Sequence, residues 1–139
     1  SDHAPHPKEE KERGWGNIDL APSGMPGVET TLPFLLDLFN KGRLGLFDIV
    51  GCLCTRRAIR LGLYPKKGAL AVGSDADITI IDPKRTFEVS RQNLLTKTHD
   101  SIFLGEFQGS PVATFSRGEL IIEDGEIIGK PGRGRFLSR

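Results

Sequence analysis

Apolar residues gather in two helix-length stretches, followed by a series of short runs. Leu32, Phe34, Leu35, Leu36, Leu38 and Phe39 form the first stretch, which closes on Asn40-Lys41-Gly42. This density predicts a helix with Thr30 or Thr31 as N-cap and Gly42 at its C-terminal end. Pro33 then falls in the first turn, where its missing N–H does no harm. The second helix is predicted from about Leu46 to Leu61, with Phe47, Ile49, Val50, Leu53, Ala58 and Ile59 at broadly helical spacing. Gly62 ends it.

At Gly68 the pattern changes. Residues 68–77 read as a turn-rich link. Ile78-Thr79-Ile80-Ile81-Asp82-Pro83 is a β-branched run halted by proline, and Thr86-Phe87-Glu88-Val89 alternates as a second short strand. Val112–Ser116 and Leu120–Glu123 read as strands around an Arg117-Gly118-Glu119 turn. Asp124-Gly125 is a hairpin-type turn that returns through Glu126-Ile127-Ile128. Helices and loops thus precede short strands, which predicts two structural units, 1–67 and 68–139, with a boundary near Lys67. There is no internal repeat.

Ahead of the first helix the polar positions dominate. Lys8 to Arg13 is a charged segment expected to form one exposed helical turn or a polar loop. Residues 14–27 are rich in Gly and Pro and form a long loop, a common place for function. Trp15 is expected to anchor that loop by burying its ring rather than to touch a substrate.

With 139 residues the chain is long enough for a real core. Lys+Arg total 19 and Asp+Glu 18, so the net charge is +1 and nothing argues for nucleic acid or an acidic membrane surface. The basic stretch from Lys130 to Arg139 is Gly-rich and reads as a solvated tail. No apolar run approaches the roughly 18 residues of a membrane span, and no secretory signal pattern is visible. Cys52 and Cys54 lie in an apolar periodic stretch and are expected to be buried free thiols. That fits a reducing cytosol and a cytoplasmic protein.

The densest candidate chemistry is Ser1-Asp2-His3-Ala4-Pro5-His6, where two histidines and a carboxylate share one short stretch. It stands at residue 1 without an initiator Met, so a segment of something longer is expected. Followed by a Lys/Glu stretch, and then by Ala21-Pro22-Ser23-Gly24-Met25-Pro26-Gly27-Val28-Glu29-Thr30 leading into Leu32-Pro33, this motif resembles the C-terminal part of the dihydroorotases. More broadly it is similar to the cyclic amidohydrolases, which include allantoinase and dihydropyrimidinase (hydantoinase). Gly68 to Pro83, Phe103-Leu104-Gly105, Arg117-Gly118 and Asp124-Gly125-Glu126 agree with it, so the resemblance covers the whole chain.

The resemblance implies an α/β fold, the C-terminal fragment of a TIM-like (β/α)8 barrel plus the C-terminal share of its small β-sandwich. Residues 1–67 would hold the tip of strand 8, the active-site loop and the terminal helices; 68–139 would belong to the sandwich. Asp2 would then sit at the C-terminal face of the barrel, where barrel active sites lie. The family reaction needs an activated water, a polarised carbonyl and a proton for the leaving nitrogen. One or two zinc ions would supply the first two. Asp2 matches the residue that carries the proton and also touches the metal. On the residue alone, a loop or helix cap is the better reading. His6 matches the position that hydrogen-bonds the substrate carboxylate, against a loop histidine bonded to backbone. Ser23 and Gly24 match the loop whose backbone binds the pyrimidine ring, although turn formation alone also explains the glycine. His3 is expected to be structural, and His99 a surface or packing residue.

The family's other metal ligands, a His-x-His pair, a carboxylated lysine and two further histidines, do not occur here, so the chain alone is expected to be inactive. The leading expectation is a zinc-dependent dihydroorotase that interconverts N-carbamoyl-L-aspartate and dihydroorotate. Dihydropyrimidinase/hydantoinase or allantoinase is the alternative, because Gly-Arg-Phe near the end resembles their tails. Another is a non-catalytic homologue acting as scaffold. Thr55-Arg56-Arg57-Ala58 departs from the family's Asn-Pro start. The expected partners are a small cyclic amide, and either further copies of the chain or the missing N-terminal part. The last follows because barrel-facing helix sides would otherwise leave an apolar patch exposed.

Overall fold

The structure is a computed structural model that describes residues 2–137. Ser1 of the opening motif and Ser138-Arg139 of the tail lie outside the described residues. The elements run α1 (Lys8–Glu12), a 3-10 turn (Ile18–Leu20), α2 (Thr31–Asn40), α3 (Leu46–Val50), a π turn (Gly51–Thr55), α4 (Arg56–Arg60), β1 (Ile78–Val89), β2 (Gly105–Ser116), β3 (Glu119–Glu123) and β4 (Glu126–Ile127). The strands form one antiparallel meander in the order β1-β2-β3-β4.

Both expected helices form, and both stop where glycine permits it. Gly42 has φ +66°, its N–H donates to Phe39 O at 2.9 Å, and Arg43 N–H donates to Leu38 O at 2.9 Å. Gly62, φ +70°, closes α4 in the same way onto Ile59 and Ala58. These paired bonds satisfy the last carbonyls of each helix. The N-terminal end of α2 differs from a side-chain cap. Thr30 stands at the N-cap position without capping through its hydroxyl, and Thr31 Oγ1 donates to Gly27 O at 2.5 Å.

The second helix, α3 to α4, carries a π turn at its centre, where Arg56 N–H reaches back to Gly51 O. Only Ile49 and Ala58 of this helix are buried. Cys52 and Cys54 are therefore exposed free thiols, not buried ones. Apolar periodicity places them on the helix but does not decide which face is covered. Phe47 is 92% exposed, and Val50, Ile59, Leu61, Leu70 and Val72 are exposed as well.

The expected halt at Pro83 does not occur. β1 runs on to Val89 with register shifts between Ile80 and Ile81 and between Asp82 and Thr86. Pro83 cannot donate to a ladder, and the chain bulges past it. Asp82 Oδ1 accepts from Lys84 N–H at 2.8 Å, which closes the bulge locally. Asn40 Nδ2 then reaches across from α2 to Pro83 O at 2.8 Å and Gln108 O at 2.9 Å, so carbonyls left by the broken ladder find a donor. β2 likewise begins at Gly105, seven residues before the run that marks it in the sequence.

The core sits where α2 lies on β2. Leu36 is fully buried, which stabilises the junction by roughly 1.5–3 kcal/mol. Phe34 packs on Phe103 and Phe107 with ring centroids 4.7 Å and 6.3 Å apart. Buried Asp37 accepts from Gln108 N–H at 3.3 Å and from Lys41 Nζ at 2.5 Å. The Lys41 hydrogen bond holds the Asp37 carboxyl below the usual carboxylate range, against an opposing push from burial. A depressed folded-state pKa contributes stability above the unfolded value of 3.8, and that stability is lost as pH falls through the folded value. Asp37→Asn is therefore expected to lose less stability than wild type on acidification from about pH 5 to about pH 2. Paired denaturant titrations across that window measure it, and parallel pH curves would remove the ion pair from the account.

The tail is less free than its composition suggests. Arg133 Nη2 donates to Ser116 O at 2.9 Å and Glu119 Oε2 at 2.6 Å, and Arg117 Nη2 donates to Arg133 O at 2.5 Å. The tail is thus pinned to the β2–β3 turn. No helix among the described residues is long and apolar enough to cross a membrane.

Candidate functional site

Two segments far apart in sequence run side by side. His3 forms a parallel β-bridge with Met25, and Ala4 N–H donates to Met25 O at 3.0 Å. His3 Nδ1 accepts from Gly27 N–H at 3.2 Å and Val28 N–H at 3.4 Å, so the proton of the neutral ring is on Nε2. The expected structural role of His3 is therefore a specific one. It joins the opening motif to the loop that precedes α2.

That junction places Asp2, His6, Ser23 and Gly24 on adjoining strips of chain. Asp2 is exposed and has φ +50°, a left-handed conformation few residue types adopt readily. Ser23 and Gly24 are both exposed. Gly24 has φ +95°, and a Cβ there would stand 2.6 Å from Ala4 Cβ. The glycine is needed both for the turn and for its close approach to Ala4.

Helix α1 holds the other side. Lys11 Nζ donates to Pro22 O at 2.5 Å and Gly24 O at 2.6 Å, clamping the carbonyls on either side of Ser23. Glu10 Oε2, in the first turn of α1, lies 3.1 Å from Nδ1 of His6, which precedes the helix. A cleft of about 490 Å³ opens here, lined by His6, Lys11, Trp15, Gly24, Arg91 and Asp100 among others. Trp15 is 86% exposed, so its ring does not anchor the loop as expected but stands at the cleft rim.

The far wall comes from the stretch between Arg91 and Ile102, which no sequence signal marks as part of a site. Glu29 places this stretch. Its carboxylate accepts from Leu95 N–H and Thr96 N–H, each at 2.8 Å. Arg91 Nη2 pairs with Asp100 Oδ1 at 3.2 Å on the cleft wall. His99 is exposed with φ +46°, its Nδ1 is bonded to Leu94 O at 2.9 Å, and it takes no part in the lining. Of the residues missed by sequence reasoning, only Glu10 carries a readable signal, its four-residue spacing from His6. Lys11, Glu29 and Arg91 act across loops whose paths local pattern does not reveal.

Among the described residues no three His, Cys, Asp or Glu side chains converge to hold an ion. Nδ1 of His3 is taken by backbone N–H groups, and Nδ1 of His6 faces Glu10. Asp2 is left as a lone carboxylate, and these residues do not on their own fit a zinc ion.

No family model matches the chain. It is 41% identical to an L-hydantoinase of Paenarthrobacter aurescens, over 100% of this chain and 31% of that protein. It is also 41% identical to a dihydroorotase of Methanothermobacter thermautotrophicus, over 99% of this chain and 31% of the relative. Among solved structures, an L-hydantoinase (dihydropyrimidinase) from Arthrobacter aurescens superposes with a TM-score of 0.94 at 41% identity, covering 100% of this chain and 31% of that one. The chain thus spans about a third of the length of the relatives it matches. Its fold is a partial α/β piece of the barrel-type amidohydrolases, with an antiparallel sheet attached.

Proposed function

We infer that this chain, which is a dihydroorotase-like segment of the cyclic amidohydrolases, supplies an acid–base carboxylate and a substrate platform to an enzyme that hydrolyses a cyclic amide. Hydrolysis adds water across one ring C–N bond, with the hydroxyl going to the carbonyl carbon and the proton to nitrogen. Asp2 takes the proton as the water oxygen attacks and returns it to the departing nitrogen. Its exposure and lack of a described partner suit a group that must meet both atoms in turn. A zinc ion would activate the water in the complete enzyme. It would be held mainly by residues outside this chain, with Asp2 as one ligand, and the proton path at Asp2 is defined without it.

The favoured substrate pair is dihydroorotate, a cyclic amide whose ring carries a carboxylate, and N-carbamoyl-L-aspartate, its ring-opened form, which keeps that carboxylate. The carrying observation is His6, an imidazole on the cleft lining close in space to the Gly24 turn. Ser23 and Gly24 offer backbone groups to the ring itself. A second reading, a hydantoinase, is favoured by the L-hydantoinase relative and its structure. The full-length protein assayed in parallel on dihydroorotate, hydantoin, dihydrouracil and allantoin separates these. Preference for dihydroorotate is expected. Turnover of the neutral rings alone would move the assignment to the hydantoinases, and turnover of none would favour a scaffold.

Residues 1–67 would belong to the barrel and 68–139 to the small β domain of that enzyme. The exposed apolar side chains at Phe47, Val50, Ile59, Leu70 and Val72 would then be covered by the rest of the barrel or by a second copy.

A further inference from the structure

Helix α1 carries one contact that reaches into the chemistry of the cleft. Glu10 Oε2 and His6 Nδ1 are 3.1 Å apart, and both side chains are partly covered. A carboxylate only accepts, so Nδ1 holds a proton in this contact. Nε2 is then the remaining polar atom of a ring that lines the cleft. We propose that Glu10 is a positioning residue that orients the His6 ring, frees Nε2 for the substrate, and offsets the ring's charge when Nε2–H donates to a substrate anion. Discrimination in favour of carboxylate-bearing rings belongs to the His6–Glu10 pair, not to His6 alone. This rests on the reading of His6 as a substrate contact.

Two features of the fold suit Glu10 to this role. Lys11 ties α1 to Pro22 O and Gly24 O, so the helix that carries Glu10 is fixed against the Gly24 turn, which lines the same cleft as His6. Among the described residues Glu10 makes its ion pair with His6 only, whereas its neighbours are paired elsewhere, Lys8 with Glu12 at 3.5 Å and Lys11 with carbonyls. An i,i+4 pair at a surface adds little to helix stability. A purely structural role therefore predicts no change in substrate preference.

The test uses the full-length enzyme and the variants Glu10→Gln and Glu10→Ala, with dihydroorotate and uncharged dihydrouracil as paired substrates. In Glu10→Ala, KM for dihydroorotate is expected to rise about tenfold, as for loss of one charge-assisted contact, with kcat little changed. Glu10→Gln retains an acceptor without the charge and is expected to fall between. Neither variant should move dihydrouracil kinetics. Nitrogen-15 shifts of the His6 ring should report protonated Nδ1 in wild type and mixed tautomers in Glu10→Ala. Unchanged substrate ratios together with an unmoved tautomer would overturn the proposal. A wild-type enzyme that opens dihydrouracil but ignores dihydroorotate would instead overturn the carboxylate reading, and this use of the pair with it.

Discussion

Gly109→Ala is expected to destabilise the fold by about 3 kcal/mol. Two costs coincide there. Gly109 has φ +107°, a conformation that strains a residue with a Cβ by about 1–3 kcal/mol. The new Cβ would also stand 2.5 Å from Leu36 Cβ and 3.3 Å from Asn40 Nδ2. Leu36 is fully buried on the helix side, so it has nowhere to retreat, and overpacking of this kind costs about 1–3 kcal/mol. Displacement of α2 would also pull Asn40 from Pro83 O and Gln108 O, reopening the bulge in β1. Gly125→Ala is the control. Its φ is +89° but nothing lies within 4 Å of the added carbon, so only the strain remains. Equal denaturation midpoints for the two variants would show that α2 and β2 do not approach as closely as described.

The same junction shows how far local pattern reaches. Leu36 and Phe34 are legible as a helix face, and Gly42 and Gly62 as helix ends, because each is decided within one or two turns of chain. The Asp124-Gly125 and Arg117-Gly118 turns are legible for the same reason, with positive φ at both residues of each pair. Pro83 misleads, since a proline stops a ladder only if nothing else satisfies the freed carbonyls. Asn40 does so from 43 residues away. The thiols of Cys52 and Cys54 mislead in another way, because periodicity marks an apolar helix without saying what covers it. Asp2, His6, Ser23 and Gly24 are singled out only through their motif. Glu29 and Lys11, which hold the walls of the cleft, act through backbone groups of distant loops and carry no pattern of their own.

Asp2→Asn in the full-length enzyme is expected to lower kcat by about 10²–10⁴-fold while leaving KM within a few-fold and the thermal midpoint unchanged. The size follows from the proposed role. A general acid–base group contributes on that order, and an amide can neither take the proton of the attacking water nor return it to the leaving nitrogen. The silence of the fold follows from position. Asp2 is exposed, and Asn tolerates the left-handed φ of +50° as Asp does. Asp2→Ala lacks that tolerance, and it should lose activity to a similar degree with an added disturbance where His3 bridges Met25. The pair of variants therefore separates a carboxylate that moves protons from one that merely closes a loop. Loss in both, with stability kept only in Asp2→Asn, is the acid–base result. Activity kept in Asp2→Asn and lost in Asp2→Ala would make Asp2 a conformational residue, and the proton would have to travel through a group outside this chain.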